Sequence, residues 1–352
     1  MKQRFIRSLS LLVVTFLIGS CVDGGNNPDP LELSSVYVTN EGNFNDSDGS
    51  LTSYDPESGS TLKKAFGNAN GRPLAGIIQS AKIAGEHIFM VLNNANKIEV
   101  AEVESLESVA TIELSTTPTD FEIINNQTGY VSNLYDGSVT VVDLENFEET
   151  DQRISVGSQP WSIFRMNNLA FVANKGAGND NTISVINTTS HTVDHTIEAG
   201  PGPQDISVDM AGRLWVVCNG LIAYDENWER DPANDKPGSV YLIDGSSATV
   251  IDSIETGGHP TGIALDNDNA KAYLLNDGIS VIDMNTLSVE EEPFTSRSFS
   301  AIGYLPTQER LYVGDSRGYS QDGQALIYDQ QGTAVDSFNV GIAPNGFHFV
   351  VN

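Results

Sequence analysis

Cysteine is almost missing from this sequence: Cys21 and Cys218 are the only two in 352 residues. An internal disulfide would need both, and Cys21 has another expected use, so none is expected. Cys218 closes an apolar run, LWVVC, and reads as a small buried core residue. Basic residues are scarce too, with 18 Lys and Arg against 47 Asp and Glu and a formal net charge of −29. Such a surface repels phosphate backbones, which excludes nucleic acid as a partner. No apolar run is long enough to span a bilayer as a helix, and no long helical period occurs anywhere. HExxH, a serine nucleophile elbow and an adjacent cysteine pair are also missing.

The first residues address the compartment. Lys2, Arg4 and Arg7 precede a short apolar stretch, Leu9 to Ile18, and then Ile18-Gly19-Ser20-Cys21. This order resembles the lipobox of bacterial lipoproteins. The resemblance implies a signal peptide over 1–20 and acylation of Cys21, with an outer-membrane anchor facing the medium or the periplasm. Residues 22–34 are small, polar and turn-prone and read as a flexible tether. Loss of Lys2, Arg4 and Arg7, with no acidic residue removed, takes the net charge to −32. The folded part is expected as one domain over 35–352.

That domain is built from an internal repeat. Seven short β-branched or aromatic runs each end in Asn or Asp, at Asn40, Asn93, Asn133, Asn174, Asn219, Asn276 and Asp315. A second set of runs ends at Asp55, Glu102, Asp143, Asn187, Asp244, Asp283 and Asp329. A third opens with a proline, at Pro73, Pro118, Pro160, Pro203, Pro260 and Pro344, and Phe299 takes that place in the remaining unit. With an outer run such as VIDSIET, each unit of about 42 residues supplies four short strands, the pattern of a propeller blade. The C-terminal PNGFHFVVN reads as an inner strand without followers, and the N-terminal unit lacks an inner strand. Together they complete one blade. The expectation is an all-β, seven-bladed β-propeller of four-stranded blades, closed by pairing the C-terminal strand with the N-terminal blade. The repeated Asn and Asp residues are expected to bond turn backbones.

These runs, with a literal YVTN at 37–40, resemble the YVTN-repeat family of bacterial propellers. More narrowly, VYVTNEGNF and GSLTSYDPESG behind a lipobox look like a group of surface lipoproteins of Gram-negative bacteria. That resemblance implies nutrient capture for a TonB-dependent transporter, and the best-known members of the group bind corrinoids such as vitamin B12.

In a blade, the loop after the second strand and the lead-in to the next inner strand open on one face. Four of those loops are long: 41–48, 175–181, 220–237 and 316–323. Candidate ligand-binding residues on this face are Asn43, Phe44, Arg72, Tyr135, Trp161, Lys175, Gln204, Asp205, Trp228, His259, Arg297, Phe299, Arg317, Tyr319 and Asn345. Aromatics and amides suit a flat organic ligand, and Arg72, Arg297 and Arg317 suit phosphate or carboxylate groups on it. The 220–237 loop is expected to move over the ligand. No cofactor is expected. Loops 45–50, 178–182 and 266–271 carry oxygen ligands of the kind calcium takes, without the glutamate of an EF-hand, and read as solvated turns. The alternatives to ligand capture are a protein-interaction scaffold or adhesin and, further off, a propeller enzyme such as a lactonase or quinone-dependent dehydrogenase.

Overall fold

The computed structural model describes residues 33–351. The expected signal peptide, Cys21 and most of the expected tether lie outside them. No helix among the described residues is long and apolar enough to cross a membrane.

The described chain forms seven four-stranded antiparallel sheets. In blade 1 the inner strand is Pro344–Val351, followed outward by Leu33–Asn40, Ser50–Tyr54 and Thr61–Leu62. Phe347 pairs with Val38 and Phe349 with Val36, so the last strand closes the ring on the first. The inner strands of blades 2 to 7 are Ile78–Ala84, Pro118–Asn125, Pro160–Met166, Pro203–Val208, Gly262–Asp266 and Ala301–Leu305.

Each second strand buries one large aromatic at the same register: Tyr37, Phe89, Tyr130, Phe171, Trp215, Tyr273 and Tyr312. Apolar residues of adjacent blades merge into seven clusters, one at each junction. The cluster between blades 7 and 1 joins Val36 and Val38 to Tyr312 and Phe338. Burial of this kind contributes roughly 25 cal/mol per Å², and no blade obtains it alone, which is why the ring must close.

The Asn residues that end the second strands bond in two ways, within the blade and to the next blade, and not through the following turn's backbone as expected. Asn40, Asn133 and Asn174 are fully buried. Each donates its amide to two hydroxyls of the third strand: Ser50 and Thr52, Ser138 and Thr140, Thr182 and Ser184. Asn93 and Asn219 fall one residue past that register, where Leu92 and Cys218 stand instead. Their amides reach the carbonyl of the proline opening the next blade, Pro118 at 2.8 Å and Pro260 at 3.0 Å. Asp55, Asp143, Asp244 and Asp283 each accept two backbone N–H bonds from the turn that follows.

Two local expectations are corrected. The folded chain is already in its first strand at Leu33. Pro73 opens no strand; it follows a short helix, Ala65–Asn70, and Ile78 holds the position that proline holds elsewhere, paired with Leu92 as Pro118 is with Asn133.

Candidate functional site

The inner strands of blades 2 to 5 begin with an irregular register. Four opening carbonyls accept a side-chain donor from the neighbouring blade. Thr119 donates to Pro160 O at 2.8 Å, Gln204 to Pro260 O at 3.2 Å, Ser300 to Pro344 O at 2.7 Å and Asn345 to Ile78 O at 2.8 Å. One residue further on, Asp120 accepts from Ile163 N and Asp205 from Ile263 N, each at 3.0 Å. Side chains at the mouth of the ring thus staple blade to blade.

The same two positions in every blade line a cavity of about 330 Å³ at the centre of the looped face. Its inner ring is Ser80, Asp120, Ser162, Asp205, Gly262, Ala301 and Gly346. Five of the seven are small and uncharged, which keeps the funnel open; the two carboxylates stand alone among them.

Burial raises the carboxyl of Asp205 to about 6, against two backbone hydrogen bonds that favour the ionised form; repulsion from Asp120 adds to the rise. Burial raises Asp120 as well. Below this ring, Lys82 donates to Glu122 at 2.6 Å. His348, on the inner strand of blade 1, is held down to about 4 by burial and by the Lys82 charge. It is therefore neutral at pH 7, and its buried Nε2 has no hydrogen-bond partner. Asn345 Oδ1 is likewise buried without a partner.

Around the funnel stand the loops. Phe44, Tyr135, Tyr224, Trp228 and Tyr319 are the exposed aromatics of the described chain, and all five lie on loops of this face. Asn43 donates to Tyr319 O at 3.2 Å and ties the loops of blades 1 and 7. Trp161 lines the funnel, with the Lys175 ammonium 3.8 Å from its ring centre. Burial lowers Lys175 to about 8. The longest loop is a pinned hairpin: Arg230 grips Asp235 through both nitrogens at 2.6 and 2.7 Å, and Asp235 also takes Ala223 N. Trp228 projects from its tip, 84% exposed.

Of the fifteen residues singled out from sequence, Trp161, Gln204, Asp205 and Asn345 converge on the funnel. Asn43, Phe44, Tyr135, Lys175, Trp228 and Tyr319 sit on the surrounding loops. The other five have different work. Arg72 leaves the mouth to pair with the buried Glu99 at 2.7 Å and lines a separate groove beside the short helix. Arg297 pairs with Asp315; Arg317 bonds Gln324 and sits 3.8 Å from the same Asp315. All three arginines thus have intramolecular partners in this structure. Phe299 packs edge-on against Tyr328 in the junction of blades 6 and 7. His259 bonds Asn219 O at 2.9 Å and lies 3.5 Å from Asp235, fastening the 220–237 hairpin instead of facing the funnel. In this conformation the hairpin is tied by Arg230, His259 and Asp235.

In the calcium-like loops, Asp48 accepts from Asn43 N, Asp180 from Thr182 N and Asp266 from Asn269 N. Among the described residues, no three His, Cys, Asp or Glu side chains are grouped to hold a metal ion. Sequence reasoning missed Asp120 and His348 as members of the funnel. The signal for Asp120 was its position, two after Pro118, matching Asp205 two after Pro203.

Fold and site together define a closed seven-bladed propeller with a central polar funnel in an aromatic rim. The chain belongs to the family described as a domain of unknown function, DUF5074, which matches residues 34–234. No curated protein matches the sequence. Among solved structures, a quinonprotein alcohol dehydrogenase-like protein of Bacteroides thetaiotaomicron superposes with a TM-score of 0.69 at 13% identity, over 90% of this chain and 78% of that one. Hydrazine synthase of Kuenenia stuttgartiensis gives 0.61 at 14% identity, over 92% and 100%. The Pan2 WD40 domain of Neurospora crassa gives 0.58 at 11% identity, over 80% and 82%. At such identities the likeness is one of fold alone.

Proposed function

We propose that this chain is a lipid-anchored binding protein, not an enzyme, whose looped face captures a nutrient for a TonB-dependent transporter. A corrinoid is the first compound to test. The observation that carries this reading is the gathering of all five exposed aromatics on one face around the funnel. Flat apolar rings held out in water lose area favourably only against a partner. The funnel, about 330 Å³, lies at the small end of the roughly 300–1,000 Å³ of ligand pockets. A large ligand would therefore rest on the rim and insert one group. Leu33 pairs with Val351, at the end of Pro344–Val351 remote from the loops.

Isothermal titration of the chain from residue 22 onward against cobalamin and cobinamide tests the reading. Saturable one-to-one binding is expected, weakened at least tenfold by Trp161→Ala or Trp228→Ala with little change in melting temperature. Silence with both compounds removes the corrinoid. Binding that neither substitution weakens removes the looped face as its site. A protein partner on the same aromatic rim is the second reading, and it gains if both corrinoids are silent.

A further inference from the structure

The polar atoms of the funnel are not balanced between donors and acceptors. Asn345 commits its NH₂ group to Ile78 O and Gln79 O, at 2.8 and 3.2 Å, and leaves Oδ1 buried and unpartnered. Gln204 commits its NH₂ group to Pro260 O. The hydroxyls of Thr119 and Ser300 donate to Pro160 O and Pro344 O. The blade-to-blade staples thus consume the side-chain donors of Asn345, Thr119 and Ser300 and one of the two N–H donors of Gln204, and leave oxygen lone pairs behind. His348, neutral at pH 7, adds the unpartnered Nε2, which accepts in the tautomer that carries its proton on Nδ1.

Charge points the same way. Asp120 and Asp205 face the funnel from blades 3 and 5, bonded to backbone N–H groups, and the Lys82 charge and the Ser80 hydroxyl also favour the ionised form of Asp120. The one lysine on the inner strand of blade 2, Lys82, is bonded to Glu122. Inside a ring carrying a large negative net charge, two partly desolvated carboxylates without a bonded cation are costly to keep ionised. A cation with several N–H donors relieves both deficits at once.

Resting on the capture reading above, we infer that the funnel floor recognises a protonated primary amine, free or at one end of a larger ligand, between Asp120 and Asp205 with Asn345 Oδ1 and His348 Nε2 as further acceptors. An ammonium group is the compact cation with three donors. Among the described residues no group of three ligating side chains would favour a metal ion instead.

The test is calorimetric titration of the chain from residue 22 onward with 1,4-diaminobutane and with 1,4-butanediol, its uncharged counterpart, at pH 7.5 and low salt. The diamine is expected to bind one-to-one and at least tenfold more tightly than the diol. Asp205→Asn and, separately, His348→Phe are each expected to weaken it at least fivefold, each variant first checked for an unchanged far-UV spectrum. Glu102→Gln with Glu104→Gln, on the opposite face, is expected to leave it unchanged. Equal binding of diol and diamine overturns the inference, as does diamine binding that survives both funnel substitutions or is lost with the opposite-face pair. If the diamine fails while cobinamide binds through Trp161 and Trp228, the ammonium inference falls and the capture reading stands. If the diamine binds and both corrinoids are silent, the ammonium site stands and the corrinoid falls.

Discussion

Replacing Asp205 by Asn changes how the stability of the whole ring depends on pH. In the native state this carboxyl ionises near 6, against an ordinary value of 3.8. Below 3.8 both native and unfolded chains hold the proton, and the contribution of Asp205 to stability is fully present. Between 3.8 and about 6 the native chain still binds a proton that the unfolded chain has released. Stability therefore falls as pH rises, by about 1.4 kcal/mol per pH unit from this group. Water reaching the open funnel moderates the effect, so the loss across the interval is about 2–3 kcal/mol, complete above pH 6. An amide at this position does not titrate, and its one oxygen still accepts from Ile263 N. Asp120, Glu122 and Glu41 are also raised by burial and remain in the variant, so the informative quantity is the difference between the two proteins. Urea unfolding from pH 4 to pH 7.5 is expected to show the variant gaining about 2–3 kcal/mol relative to the parent as pH rises. Parallel stability curves would refute the reasoning, since they would mean that Asp205 ionises as freely in the native state as in the unfolded one.

Three further outcomes are expected. A methyl group on Gly157 would lie 2.5 Å from Asn174 Cγ, so Gly157→Ala should cost about 1–3 kcal/mol; adding Asn174→Ala should recover part of that, and additivity within about 0.5 kcal/mol in a double-mutant cycle would contradict the contact. Because burial sets Lys175 near 8 and its ammonium lies over Trp161, tryptophan fluorescence should show a transition centred near pH 8 that Lys175→Met abolishes; a parent titrating only above pH 10 would count against it. Cys218 is fully buried and its thiol is pushed up to about 12, so a soluble aromatic disulfide reagent should leave it unmodified in the native protein and react with it fully in denaturant. Rapid reaction under native conditions would show that blade 5 opens.

Much of the fold was legible because each blade writes its own strands in consecutive residues. The β-branched runs, the turn-forming Asp and Asn residues and the split first blade are local signals, and they placed seven units and the closure at Pro344–Val351. The site was less legible because its contacts join residues from different blades. Arg72 finds Glu99 and Arg297 finds Asp315, pairings no local pattern announces. Likewise, Gln204 and Asn345 read as free amides in sequence, yet each holds an opening carbonyl of the next blade. Pro73 misled because proline marks a strand opening in most blades, while the insertion carrying Ala65–Asn70 moves that opening to Ile78. Phe44, Tyr224, Trp228 and Tyr319 were legible as loop residues because they fall in long connections after second strands, whereas Tyr135 sits in a short turn.

The central claim is that this face is the binding face. Hydrogen–deuterium exchange of the propeller with and without saturating cobinamide tests it most directly. The account predicts slowed exchange in 159–162, 175–181, 220–237 and 316–323, with the opposite-face turns at 85–86 and 102–105 unchanged. Protection confined to those opposite-face turns, or spread evenly around the ring, would contradict it.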